Sequence, residues 1–224
     1  MNQRREAIGY SLLFHWVLNG CQRAPSKDCS ILLSRGRQVI ADQLKRIYVE
    51  GLRILYNAEN QLMKELPRMA KAATSEELSV RLTKRLEQAK EHVASLEKIF
   101  TAIKMSPRGE RCTRTEHLIK EGLQMIGKHL LPEQLNGELI TIMQSIESQE
   151  IAGYGWVGAH ARFLKEDTGI FLLEKILEEV KVTAETWAQL SDRNIAMVTK
   201  VDPPDGGSDQ WQKAAIANAG TARN

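Results

Sequence analysis

The chain has 224 residues, of which 42% are hydrophobic and 26% charged, with a net charge of +3. That is length enough for one sizeable core. A balance this mild, with acids and bases intermixed, excludes a nucleic-acid-binding reading, and no stretch is long and apolar enough to span a membrane. Three scattered cysteines, Cys21, Cys29 and Cys112, form no CxxC pair and fit a reducing compartment, which points to the cytoplasm. Aromatic residues make up only 5% of the chain, and the abundance of Leu, Ala, Lys, Glu and Gln favours helix over sheet.

In chain order, residues 1–36 show no sustained periodicity and read as a poorly structured leader. Arg4-Arg5, an apolar run and Gly20-Cys21 faintly resemble a lipoprotein signal, so export with lipidation at Cys21 stands as the alternative address. The run is short, holds His15, and has Asn19 just before the Gly-Cys pair. A first long helix is expected from Gln38 to Ala73, with Pro67 kinking or breaking it near its end. Its seam is Leu52, Leu55, Glu59, Leu62, Leu66 and Met69. Thr74-Ser75-Glu76-Glu77 is a capping signal that opens a second helix to Lys104, striped by Leu78, Leu82, Leu86, Ala89, Val93, Leu96, Phe100 and Ile103.

Ser106-Pro107-Arg108-Gly109 reads as a loop, followed by a short helix over 115–130. A third long helix spans 133–165, with the seam Leu139, Met143, Ile146, Glu150, Gly153 and Val157. Gly153, Gly155 and Gly158 in it suggest close approach of a neighbouring backbone. Asp167-Thr168-Gly169 reads as a turn before a fourth helix to Met197, with the stripe Leu173, Leu177, Val180, Ala184 and Trp187. From Asp202 the composition shifts to Pro, Gly and small residues, a disordered tail over about 199–224. Four long helices in two hairpins, with a short helix in the middle connection, describe an all-α, ferritin-like four-helix bundle over residues 37–198.

Glutamate inside two helical seams is the chemically informative feature. A buried carboxylate needs a metal, a cation or a proton beside it. Carboxylate bundles hold two metals with glutamates and Glu-x-x-His pairs from the four helices, and such oxygen-rich sites suit iron or manganese. The candidates here are Glu59, His92, Glu147 and Glu150, with the three carboxylates converging in the core and His92 at its periphery. Glu178 and Glu179 flank the last stripe. His160 reads as a core or interface histidine, Trp156 and Trp187 as packing residues, and Glu87 as a surface residue.

Four stretches, Ile47–Leu62, Leu66–Ser75, Glu91–Phe100 and Glu150–Gly155, resemble the YciE/YciF family of ferritin-like bacterial stress proteins. The resemblance covers residues 38–197 and implies a bundle that is often a homodimer, with a dinuclear metal centre and a place in stress responses. It also implies an acidic pair where this chain has Glu87-Gln88, Glu-His-Tyr-Glu where it has Glu147-Ser-Gln-Glu150, and a third acid where it has Val180; a further acidic position reads Ala184. Val and Ala cannot ligate, so the expectation is a degenerate site holding one or two ions, or none. The competing reading is a non-enzymatic bundle that works by oligomerisation or partner binding.

Overall fold

A computed structural model describes residues 27–128 and 130–198, with side chains described over 38–128 and 130–197. The expectations for Cys21, for most of the leader and for the tail beyond 198 lie outside the described residues. The described chain consists of five helices: α1 (Lys27–Ala72), α2 (Glu76–Ala102), α3 (Thr113–Ile126), α4 (Pro132–Leu164) and α5 (Asp167–Val198). No described residue forms a strand. This is the four-helix bundle with a short helix in its middle connection. Contacts divide the chain into two units, Met1–Gln43 and Leu44–Asn224. In the first, the described part of α1 carries a hydrogen bond from Gln38 Nε2 to Asp42 Oδ1 at 3.0 Å. The site lies wholly in the second unit.

The helix ends follow local chemistry. Ser75 caps α2 from an extended conformation, its side chain accepting from the Leu78 amide, and Glu76 and Glu77 occupy the first turn, where a carboxylate favours the positive end of the helix dipole. The short turn before α2 is tied to the start of α4: the Thr74 amide donates to Asn136 Oδ1 at 3.0 Å and its hydroxyl to the Pro132 carbonyl at 3.2 Å. Pro132 opens α4, and Lys165 closes it in the left-handed conformation. Several expected boundaries differ. α1 begins at Lys27, not Gln38, and runs through Pro67 without a break. Asp167-Thr168-Gly169 is the first turn of α5, not a connecting turn; the chain reverses at Lys165 and Glu166, and Asp167 serves as an acidic first-turn residue.

Two apolar clusters fill the bundle. One holds Leu62, Leu66, Met69, Leu78, Leu82, Met143, Ile146, Trp187 and Leu190; the other holds Leu52, Leu55, Leu96, Phe100, Tyr154, Val157, Leu173, Ile176 and Val180. Along α1 and α4 a buried acidic segment separates the residues of one cluster from those of the other. Of the expected core, Leu55, Leu62, Ile146, Val157, Leu173 and Trp187 are buried, whereas Leu86 and Val93 are only half-buried. The α2 seam is instead Leu78, Leu82, Arg85, Ala89, His92, Leu96 and Ile99, alternating by four and three as a bundle seam requires. On α5, Ile176 is buried while Leu177 and Ala184 are half-buried. What approaches Gly153 is a side chain and not a backbone: a Cβ there would stand 3.0 Å from Leu55 Cδ2 on α1. Gly155 has nothing near it.

A tighter contact joins the start of α5 to α1. A Cβ on Gly169 would lie 2.2 Å from the Tyr48 hydroxyl, which is buried without a hydrogen-bond partner. Gly169→Ala should therefore destabilise the bundle by about 1–3 kcal/mol, the usual cost of overpacking. Tyr48→Phe should cost little by itself and restore part of that loss, because it removes both the clash and an unsatisfied polar atom. Urea unfolding of the two single variants and the double variant measures the coupling; strictly additive losses would contradict this packing.

Candidate functional site

The bundle seams bring five of their polar residues to one place. Glu59 comes from α1, Arg85 and His92 from α2, and Glu147 and Glu150 from α4, all of them buried. Spacings of seven on α2 and three on α4 keep each pair on one helix face. Arg85 is the centre. Its Nε donates to Glu147 Oε1 at 2.7 Å, its Nη2 to both oxygens of Glu150 at 2.7 and 2.6 Å, and its Nη1 to Glu59 Oε2 at 3.3 Å. The guanidinium fork thus contacts all three carboxylates. The expected convergence of Glu59, Glu147 and Glu150 is present, and an arginine organises it.

The other oxygen of Glu59 is also engaged, accepting from the Tyr154 hydroxyl at 2.8 Å and facing His92 Nδ1 at 2.8 Å. His92 Nε2 faces Glu179 Oε2 on α5 at 3.2 Å. Glu179 is 31% exposed in its side chain, so a chain of polar contacts runs from the buried cluster towards solvent. His92 is 2% exposed; it sits in the seam, not at the periphery. The indole N–H of Trp187 is near enough to favour the Glu147 carboxylate, but neither it nor Glu147 Oε2 meets full hydrogen-bond geometry.

Electrostatics sort the three carboxylates. One guanidinium faces three acids, so the cluster cannot be neutral with all three ionised. Burial pushes Glu150 well above the usual carboxylate range; Arg85 opposes this, and Glu59 and Glu147 add to it. Burial likewise raises Glu147 despite Arg85. Burial would raise Glu59 too, but Arg85, His92 and Tyr154 together hold it below its ordinary value. Tyr154 is pushed well up by burial and by Glu59 and Glu150. Burial alone would lower Arg85, yet the three carboxylates drive it the other way, so it stays charged. Burial thus favours a proton on Glu150 and Glu147 over one on Glu59.

These residues do not fit a two-metal carboxylate centre. Arg85 occupies both oxygens of Glu150 and one each of Glu59 and Glu147. The α5 position that would supply another carboxylate is Val180, buried in apolar surroundings. Gln88 is spent on Thr183, its amide donating to the hydroxyl at 3.0 Å. Among the described residues no group of three or more His, Cys, Asp or Glu side chains is disposed to hold a metal ion.

Arg85 and Tyr154 are not among the residues the sequence singles out, and Glu179 is singled out only as a flanking acid. Arg85 has a signal, since it falls on the four-three spacing of the α2 seam; Tyr154 follows Glu150 by four residues; Glu179 could be placed only beside the stripe. Outside the cluster, Glu87 is exposed as expected. His160 is half-buried, its Nδ1 lying 2.8 Å from the Trp156 carbonyl and its ring 4.3 Å from the Trp156 ring. Trp156 packs one edge of its ring against Gly51 of α1, as a packing residue should, but is 49% exposed and so lies at the edge of the core.

Comparison with known proteins finds the family described as "Domain of unknown function (DUF892)" matching residues 43–199. Protein YciF of Escherichia coli (strain K12) is 27% identical over 153 residues, which cover 68% of this chain and 92% of that protein. The crystal structure of the E. coli stress protein YciF matches with a TM-score of 0.66 at 27% identity, covering 68% of this chain and 97% of that one. YcfI from Rhodopseudomonas palustris matches with a TM-score of 0.62 at 31% identity, covering 65% and 92%.

The raised carboxyl of Glu150 sets a pH dependence. Between the unfolded and folded pKa values the native state holds the extra proton, so its contribution is full below the unfolded value and is lost as pH rises through the folded one. Glu150→Gln mimics the protonated form and keeps an acceptor for Arg85. Measured from pH 5 to 9, the Tm of the variant should gain on that of the parent protein as pH rises; a difference that shrinks with pH would reverse this assignment.

Proposed function

The chain belongs to the DUF892 family, within the YciE/YciF group of ferritin-like stress proteins, and we propose that it is a metal-independent member, a non-enzymatic helical scaffold acting by association. The observation that carries this reading is Arg85. A covalently attached cation sits where carboxylate bundles of this architecture place metal, and it supplies the charge that the buried acids need. The apolar replacement at Val180 supports the same reading, since a valine there offers no ligand and packs with Leu173 and Ile176. The link to stress is carried over from the relative described as a stress protein. A cytoplasmic address rests on the free thiol of Cys112 and the cysteine pattern.

An outward stripe on α4 supports association. Ala152, Trp156, Ala159 and Phe163 are all exposed and recur by four, three and four, the spacing of a second helical seam. Phe171 at the start of α5 is 70% exposed. A homodimer pairing this stripe with its copy is the arrangement we favour. Large exposed apolar residues grouped on one face mark an interaction surface.

Two measurements test the proposal. Protein purified from medium containing iron and manganese should carry well under one ion per chain, and excess chelator should leave its Tm unchanged; tightly bound stoichiometric metal would overturn the reading. Arg85→Ala should cost about 3–5 kcal/mol, because it strands buried carboxylates. Added Mn2+ should recover part of that loss in the variant only. In sedimentation velocity the parent protein should run as a dimer and Phe163→Glu as a monomer.

A further inference from the structure

The connection between α2 and α3 is fastened to α1 by three side chains spaced four residues apart. Arg53 Nε donates to the Ser106 carbonyl at 3.1 Å, Asn57 Oδ1 accepts from the Cys112 amide at 2.8 Å, and Gln61 Nε2 donates to the Cys112 carbonyl at 3.1 Å. Gly109, at φ +141°, passes beside the Arg53 side chain in a conformation closed to other residues. The far end of α3 is seated separately: a Cβ on Gly122 would stand 3.0 Å from Met69 Cε and 3.6 Å from Ile142 Cγ2. Pinned at both ends, α3 spans α1 and leaves a cleft of about 650 Å3 beneath it. That volume lies in the range of small-molecule sites, ~300–1,000 Å3. The cleft does not touch the Arg85 cluster.

Its lining has two characters. Ile119 and Leu123 on α3 give an apolar wall. Lys64, Arg108, Arg111 and Lys120 outnumber the acids Glu65, Glu110 and Glu116, and two of those acids are already engaged, Glu65 by Arg68 and Lys64 and Glu116 by Arg111. Arg108 and Lys120 have no ion-pair partner among the described residues. Asn60 is half-buried at the α1 side and gives its amide to the Tyr56 carbonyl at 2.7 Å. Convergent polar groups over an apolar wall in a pre-formed cleft are the elements of a ligand site.

The structure assigns this cleft, we infer, to a small organic anion with an apolar body, its charge held by Arg108 and Lys120 and its body laid on Ile119 and Leu123. The test uses the full chain and the fluorescent anion 8-anilinonaphthalene-1-sulfonate, with sodium octanoate as competitor. Binding should saturate at one probe per chain, octanoate should displace it, and added salt should weaken it, since exposed charges are screened. Arg108→Glu combined with Lys120→Glu should weaken the probe about tenfold, the sum of two modest exposed charge contacts and their reversal. Lys98→Glu, half that charge change at an exposed position of α2, should leave affinity unaltered, and circular dichroism should show all variants equally helical. Three results would each overturn the assignment: non-saturable binding, equal weakening by Lys98→Glu, or full affinity in the double variant. The last would place the probe on the exposed aromatic stripe instead.

Discussion

The Arg85 guanidinium is one positive charge set among three buried carboxylates, and the bundle interior is arranged around that imbalance. Removing charges from water costs several kcal/mol each even after relaxation, so the cluster persists only because almost every donor and acceptor in it is met. Arg85 spreads its bonds over Glu59, Glu147 and Glu150. Tyr154 and His92 attend the remaining oxygen of Glu59, and the negative charge left over is relieved by a proton. Three helices contribute, and α5 joins through Glu179 at His92, so the cluster fixes their register as much as it contributes to stability.

A guanidinium and a pair of metal ions answer the same electrostatic need with different consequences. Metals bring more charge, exchange with solution and leave coordination positions open for chemistry. Arg85 brings one charge, cannot leave, and directs its donors in a plane. The changes that accompany it are consistent: Val180 adds apolar contact where a further acid would have enlarged the charge deficit, and Gln88 binds Thr183 rather than the cluster. The result keeps the architecture shared with the E. coli relative.

Much of this was legible before any coordinates. Glutamates interrupting otherwise apolar seams at 59 and 150 located the cluster, and the periodicity of α1 and α4 placed Glu147 beside it. The α2 face was misread by one position. Leu86 and Val93 are the apolar choice there, but Arg85 and His92 keep the regular four-three spacing with Leu82, Ala89 and Leu96. Hydrophobicity and periodicity compete at such positions, and periodicity wins when three carboxylates lie opposite. Glu179 could not be found the same way, because its reach to His92 depends on how α5 is rotated against α2.

The placement of the cluster between two apolar clusters bears on how the molecule comes apart. Apolar packing is continuous within each cluster, but along α1 and α4 the passage from one to the other crosses charged groups whose bonds are directional and few. Such a plane transmits strain poorly compared with interdigitated side chains. Along α1 and α4 the two ends of the bundle are thus joined through polar bonds rather than through apolar packing, and the segments of these helices at either end form natural units of partial opening. Amide exchange should be most cooperative within each end and least between them, with the turn of helix carrying Arg85 belonging to both.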